Sequence, residues 1–258
     1  MSHIVSRLVA LSHEIGRPDR RLAMLGEGNA SAGLDDGTFL VKSSGCDLMK
    51  IREEEFTQVR LDAVLAALED KNLNDSGVRS VLESARVDHQ AKLPSVETFM
   101  HAVCLSAEGV EWVAHCHAES VLSILCSAHG ASPFLKHIFP DAIGVCGRHI
   151  ATVPYIDPGL ELARKVRETL RFYTASFGYP PKVILLENHG LVALGASDEE
   201  VLNILLMLDK WARILRETLS MGGPRFLPDT VSDRINNRPD EHYRRTQFTK
   251  KSNSLKKP

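Results

Sequence analysis

The sequence has few cysteines, and their arrangement argues against a disulfide framework. The 258 residues include five cysteines, which are scattered along the chain without a Cys-x-x-Cys pair. An odd and scattered set is more typical of a reducing compartment than of a small secreted protein stabilised by disulfides. We therefore expect a cytoplasmic protein.

Long apolar runs and a strong charge bias are also absent. No uninterrupted apolar run approaches the roughly 18 residues that a membrane helix needs. The opening segment, "MSHIVSRLVALSHEIG", has the spacing of an amphipathic helix and lacks the apolar core of a signal peptide. The formal net charge of −2 gives no reason to expect nucleic acid or an acidic membrane as a partner. The composition therefore gives no case for either kind of partner.

A chain of this length can build one sizeable core, and the hydrophobic fraction of 43% is ordinary for a globular protein. We expect one domain over residues 1–222. After Gly222, Gly223 and Pro224 the sequence becomes polar, which predicts a C-terminal extension over residues 223–258. Its basic end, "KKSNSLKKP", is predicted to be disordered.

Periodicity predicts helices alternating with short strands, which indicates a layered α/β or α+β domain. The predicted helices lie at 1–16, within 53–86, at 94–108 beginning near Pro94, at 120–129, at 160–173 and at 197–219, the last opened by a Ser197/Glu200 capping box. The predicted strands are 38–42, 111–118, one or two within 143–155, and a strand–turn–strand unit over 182–195. The segment 25–48 is otherwise interpreted as turn-rich.

The predicted strand around "VAHCHAES" contains two histidines separated by one residue. Residues i and i+2 of a strand face the same side, so His115 and His117 would project together while Cys116 faces the opposite way. This spacing is typical of a two-pronged metal site. Two surface histidines placed there by chance are the alternative, and the pair alone does not decide between them.

Two further polar residues extend the hypothesis. His189, in "ENHGLVALG", lies at a tight turn between two predicted strands, where an ordinary polar loop residue is the alternative. Glu97, in "PSVE", lies at the start of a predicted helix, where the helix dipole alone would favour a carboxylate. Three neutral imidazoles and one carboxylate suit a divalent transition metal, with zinc first. Spacing does not show that these residues converge.

Five segments in this order resemble the class II aldolase/adducin family: "GEGNAS", "VKSSG", "PSVE", "HCHA" and "ENHGLVALG". The resemblance covers roughly residues 5–220 and implies a three-layer α/β/α fold with a mostly antiparallel central sheet. Residues 1–222 would then form the catalytic domain. It also implies a homotetramer with active sites between subunits.

The resemblance assigns roles residue by residue. His115, His117 and His189 would bind the metal, and Glu97 would be the catalytic carboxylate, able to approach the metal as well. Zn²⁺ is expected, with Mn²⁺, Co²⁺ or Fe²⁺ as alternatives. Five loop residues would hold a substrate phosphate: Asn29, Ser43, Ser44, Gly45 and Ser95. The sequence Ser-Ser-Gly is also typical of an ordinary turn.

The resemblance implies a lyase that cleaves a ketose or ketose phosphate by a retro-aldol reaction through a metal-bound enediolate. Alternatives are a metal-dependent decarboxylase of a 3-oxo acid, a pentose-phosphate 4-epimerase, and a non-catalytic module like the adducin head. Two departures bear on the substrate. Val96 stands where family aldolases for sugar phosphates usually carry a second serine, so either the phosphate is held more by Lys42 and the serines or the substrate is not phosphorylated. The tyrosine proton donor of the fuculose-phosphate type has no counterpart, which leaves Lys136 or His137 as candidates.

Overall fold

The computed structural model describes residues 2–238, apart from the side chains of residues 2 and 75. The predicted disordered tail falls within 239–258, which lies outside the described residues. Within residues 2–238, none of the helices combines the length and the apolar character that crossing a bilayer requires.

A single seven-stranded sheet forms the centre of this described part. In sheet order the strands run β3-β2-β1-β4-β7-β6-β5, and every neighbouring pair is antiparallel except β5 and β6. The strands are β1 Asn29–Gly33, β2 Thr38–Lys42, β3 Phe56–Arg60, β4 Trp112–Cys116, β5 Ala151–Val153, β6 Val183–Leu186 and β7 Gly190–Gly195.

Helices cover both faces of this sheet. They are α1 Ser2–Ile15, α2 Leu61–Ala67, α3 Asp75–Ala85, α4 Thr98–Leu105, α5 Glu119–Leu125, α6 Pro140–Cys146, α7 Leu160–Phe177, α8 Asp198–Ser220 and α9 Asp229–Asn236. Buried residues of α1, α5, α6 and α8 pack on one face, and those of α2, α3, α4 and α7 pack on the other. The predicted three-layer α/β/α fold with a mostly antiparallel sheet is thus confirmed.

The central strand β4 shows how the sequence makes two cores. Trp112, Ala114 and Cys116 pack into the core beneath α5 and α8, whereas Val113 belongs to the core beneath α4 and α7. Successive side chains of a strand alternate between faces, so His115 points toward α4. This places an imidazole on the same side as the helix that follows Glu97.

Several predicted elements were wrong in type or boundary. The predicted helix 94–108 begins only at Thr98, because Pro94 pairs with Ser43 in an isolated β-bridge. Residues 140–146 form α6, not part of a strand. The turn-rich segment contains the buried strand β1, and the segment predicted as helix and linker contains β3.

The predicted C-terminal extension begins with structure, since α9 lies within it. The Arg148 guanidinium donates from Nε to Asp233 over 2.7 Å and from a terminal nitrogen to Asp229 over 3.0 Å. Residue Leu227 donates its N–H to the His137 carbonyl at 2.7 Å. These contacts fasten α9 to the loops around α6, and the boundary at residue 222 remains a prediction.

Candidate metal and catalytic site

The three predicted histidine ligands lie together at one end of the sheet. The ring centroids of His115 are 4.8 Å from those of both His117 and His189, and the latter two are 5.1 Å apart. One ligand nitrogen from each ring falls within 4.8 Å of the others. The Nε2 atoms of His115 and His117 are 3.0 Å apart, so these two rings approach each other through these nitrogens.

A close approach between β4 and the turn after β6 brings His189 to this point. Asn188 has φ 55° and Gly190 has φ 154°, and the His189 N–H donates to the Leu186 carbonyl at 3.1 Å. A Cβ at Gly190 would lie 2.5 Å from the Cys116 carbonyl oxygen. Only glycine therefore allows the turn to press against the end of β4, where His117 follows.

The carboxylate of Glu97 faces two of the three rings. Its Oε1 lies 3.2 Å from His189 Nε2 and 3.5 Å from His115 Nε2. Its Oε2 accepts a hydrogen bond from the Asn29 side-chain amide, and its backbone N–H donates to Ser95 Oγ at 3.3 Å. Glu97 thus directs one oxygen at the histidine cluster while the other is held by Asn29.

Burial sets the protonation of the cluster. It lowers the pKa of His115 to about 3 and also lowers the pKa of His117. Burial acts to raise the pKa of the Glu97 carboxyl, but the attraction of His115 and the hydrogen bond from His189 outweigh it and hold that pKa well below its usual range. Near neutral pH the site therefore presents the neutral rings of His115 and His117 beside a carboxylate.

This donor set fits a divalent transition metal. Neutral imidazole nitrogens and a carboxylate oxygen are the ligands that zinc and similar ions take in proteins. The Leu191 carbonyl can only accept, so the 2.9 Å contact with His115 Nδ1 places the ring proton on that nitrogen. The Nε2 lone pair of His115 is then free to bind a cation.

The predicted phosphate loop is only partly available for a ligand. Ser43 is fully buried, and its hydroxyl is within 2.9 Å of the Thr57 hydroxyl. Ser44 and Gly45 are exposed in a turn, whereas Asn29 bonds Glu97. The hydroxyl of Ser95 already accepts the Glu97 N–H. The structure therefore brings Asn29 and Ser95 to the carboxylate and leaves Ser44 and Gly45 open.

Lys42 is buried, with 2% of its surface exposed. Its ammonium donates to the carbonyls of Gly26 at 2.8 Å and Cys46 at 2.6 Å. Burial lowers the pKa of this lysine. Lys42 thus connects the two loops that flank the site, and both of these contacts are to backbone oxygens.

Two histidines outside the cluster, the proton-donor candidate His137 and His101, have structural contacts. The His137 ring stacks on Trp211 at 4.8 Å, and its Nε2 contacts the Gly147 carbonyl at 3.1 Å, so it is part of the core beneath α8. His101, one turn after Glu97, has its Nδ1 2.6 Å from the hydroxyl of Ser31.

Sequence reasoning did not single out Glu27, whose Oε2 lies 3.8 Å from His117 Nδ1. It belongs to the quoted segment "GEGNAS". A half-exposed glutamate between two glycines is part of no periodic pattern, so the sequence does not indicate a role for it. Only the fold brings it beside a histidine ninety residues later in the chain.

The sequence matches the family described as the class II aldolase and adducin N-terminal domain over residues 6–215. The chain belongs to this family. A curated relative, the uncharacterized oxidoreductase YuxG of Bacillus subtilis (strain 168), is 28% identical over 203 residues, which cover 76% of this chain and 27% of that protein. The chain therefore spans about a quarter of the length of this curated relative.

Solved structures of class II aldolase domains share the fold. The N-terminal class II aldolase domain of a Thermoplasma acidophilum protein has 27% identity and a TM-score of 0.65, covering 81% of this chain and 92% of its own. An L-fuculose 1-phosphate aldolase has 19% identity and a TM-score of 0.68, covering 92% and 95% respectively. At that lower identity the likeness speaks for the fold alone.

Proposed function

We propose that this chain is a divalent metal-dependent lyase that cleaves a ketose or ketose phosphate by a retro-aldol reaction. The observation that carries the proposal is the position of Glu97 Oε1, 3.2 Å and 3.5 Å from the Nε2 atoms of His189 and His115. A base at the metal ligands can reach a hydroxyl proton of a substrate bound there. An adducin-like module without catalysis has no need of this arrangement.

We propose His115, His117 and His189 as the residues that hold the cation, with Zn²⁺ first and Mn²⁺, Co²⁺ or Fe²⁺ as alternatives. When bound, a dication supplies Lewis-acid stabilisation of negative charge on substrate oxygens. Burial keeps His115 and His117 neutral near pH 7, so neither ring adds a positive charge that would repel the ion.

Glu97 is the proposed base. Its lowered pKa keeps it ionised near neutral pH, and it takes the proton from the substrate hydroxyl whose oxygen becomes the new carbonyl. The electron pair of that O–H bond forms the carbonyl as the adjacent C–C bond breaks. The pair from the broken bond passes to the second fragment as an enediolate, which is then protonated.

Asn29 and Ser95 position this base, because their side chains hold Oε2 and the backbone N–H of Glu97. Ser44 and Gly45 remain as donors for a polar end of the substrate. Other residues near this end of the substrate offer few free donors. The hydroxyl of Ser43 contacts Thr57, and the ammonium of Lys42 contacts two backbone carbonyls. Val96 adds an apolar surface that is 48% exposed. This shortage of open donors favours substrates that carry no phosphate within the proposed class.

That same shortage supports a second candidate, a decarboxylase of a 3-oxo acid. Such a reaction leaves an enolate at the same cluster, with carbon dioxide as the leaving group and no hydroxyl proton to remove. A pentose-phosphate 4-epimerase ranks third, because its substrate needs a phosphate site. Within this proposal we also expect a homotetramer acting in carbohydrate metabolism in the cytoplasm.

The test is a product assay with the zinc-loaded protein on free ketoses, ketose phosphates and 3-oxo acids. Aldehyde release from a ketose is the expected result. Replacing Glu97 with Gln should lower kcat/KM by about 10²- to 10⁴-fold, the usual contribution of a general base, while bound zinc stays near the wild-type amount. Glu83→Gln, a carboxylate change on α3, should leave the rate within about twofold. Carbon dioxide without aldehyde would support the decarboxylase instead.

A further inference from the structure

The outer nitrogens of the three histidines have different surroundings. His115 Nδ1 donates to the Leu191 carbonyl at 2.9 Å, and His189 Nδ1 is buried without a hydrogen-bond partner among the described residues. His117 Nδ1 faces a carboxylate, Glu27 Oε2, at 3.8 Å. Metal-binding histidines usually donate their second ring N–H to a carboxylate or a carbonyl, which fixes the ring and raises its basicity.

The loop that carries Glu27 is fixed on both sides of this residue. The carbonyl of Gly26 accepts from the buried Lys42 ammonium at 2.8 Å. Gly28, at φ 72°, lies so close to β4 that an added Cβ would be 2.8 Å from the His115 carbonyl oxygen. Glu27 is therefore held next to the end of β4, from which His117 follows.

The Glu27 side chain is also oriented by its own loop. Its Oε2 accepts the Met24 N–H at 3.2 Å, and its backbone N–H donates to the Met24 carbonyl at 3.1 Å. The same oxygen therefore faces both the loop and His117. The 3.8 Å separation from His117 Nδ1 is about 0.6 Å beyond hydrogen-bond distance, and hydrogen bonds at catalytic sites often tighten once a ligand is bound.

We infer that Glu27 is a positioning residue for His117: its carboxylate accepts the His117 Nδ1 proton and thereby directs the Nε2 lone pair at the metal. The inference rests on the metal site of the proposed function. It assigns a role to a residue that touches neither the cation nor the substrate. Loss of the carboxylate should weaken the metal affinity, because the ring is then less basic and free to turn.

The test measures zinc affinity by competition with a chromophoric chelator, in the full chain. Glu27→Ala should bind zinc about 10- to 100-fold more weakly, the usual effect of removing such an outer partner. Glu27→Gln keeps an acceptor oxygen without the charge and should lie between Glu27→Ala and the wild type. Glu83→Gln on α3 is the control, since the side chain of Glu83 is 44% exposed and that of Glu27 is 38% exposed. Its zinc affinity should stay within twofold.

A spectroscopic measurement separates positioning from general destabilisation. Long-range ¹H–¹⁵N NMR of the zinc-loaded wild type should show His117 protonated at Nδ1 and coordinating through Nε2. Coordination through Nδ1, or zinc affinities of Glu27→Ala and Glu27→Gln within twofold of the wild type, would overturn the inference alone. If the wild type binds no zinc, both the proposed function and the inference about Glu27 are wrong. Should Glu27→Ala not fold, the Gln variant and the NMR assignment still decide.

Discussion

Replacing Gly190 with alanine tests whether the close approach of the β6–β7 turn to β4 builds the site. The added Cβ would lie 2.5 Å from the Cys116 carbonyl oxygen and 3.1 Å from His117 Cδ2. Contacts below 3.0 Å are essentially never observed, and the obstacle here is backbone. One of the two segments therefore has to move by about 0.5 Å or more, because a well-packed interior cannot absorb the extra atom.

The magnitude follows from two contributions. An alanine at a φ of 154° is strained, and a left-handed backbone costs a residue other than glycine about 1–2 kcal/mol. Overpacking adds about 1–3 kcal/mol. We expect the free energy of unfolding to fall by about 2–5 kcal/mol. Because metal sites tolerate ligand displacements of only about 0.2 Å, zinc affinity should fall at least about tenfold.

The assay is urea unfolding together with chelator competition for zinc. Gly37→Ala is the control, since Gly37 has φ 76° and open space around an added Cβ. It should lose only about 1–2 kcal/mol of unfolding free energy and bind zinc as the wild type does. If Gly190→Ala matched Gly37→Ala in both stability and zinc affinity, the argument from the close approach would be refuted.

Two further predictions concern pH and metal removal. Burial lowers the pKa of His137 to about 4, whereas the pKa of a histidine in an unfolded chain is near 6.5. As the pH drops, the unfolded state therefore takes up the proton first. The free energy of unfolding falls between pH 6.5 and pH 4 for this reason. Between pH 8 and pH 5 this residue should account for about 2 kcal/mol of lost unfolding free energy. In urea titrations at pH 8 and pH 5, the free energy of unfolding of His137→Gln should fall by about 2 kcal/mol less than that of the wild type. Equal losses in the two proteins would contradict the burial argument. Removing the metal with a chelator should also lower the free energy of unfolding. The expected loss is about 2.7 kcal/mol relative to protein at a free zinc concentration of about 100 times Kd. Equal melting temperatures of the two forms in calorimetry would contradict this stabilisation by zinc.

The elements with strong periodicity were predicted with the right type. α1, α7 and α8 carry apolar residues at helical spacing, and the β6–turn–β7 unit carries two apolar runs around Asn188 and Gly190. Ser197 also caps α8 as expected, accepting the Glu200 N–H at 3.1 Å. In these segments local sequence and tertiary structure agree, so the pattern alone was sufficient.

The missed elements depend on neighbours that the pattern does not contain. β1, "NASAG", is made of small and turn-forming residues with low strand propensity, and it is a strand because it pairs with both β2 and β4. The short apolar run in α6 fits a helix or a strand equally well, and Pro140 at its first turn decides for the helix. Tertiary context overrides local preference at both places.

The site was predicted in its ligands and less well in its surroundings. His115, His117, His189 and Glu97 converge as the hypothesis required, although their roles stay predictions. The spacing of His115 and His117 indicates that the two residues share a face. The ordered motifs indicate the other two residues, His189 and Glu97. Nothing local indicates that Glu27 meets His117, that Lys42 contacts two loop carbonyls, or that Ser43 turns toward Thr57. These contacts exist only once the loops are folded against the sheet.

X-ray absorption at the zinc edge tests the central claim most directly, because it reports the atoms that surround the ion. The zinc-loaded wild type should show three imidazole nitrogens at about 2.0–2.1 Å together with oxygen ligands, and His189→Ala should reduce the imidazole count to two or release the metal. A first shell without histidine nitrogen, or a spectrum that does not change in His189→Ala, would contradict the account.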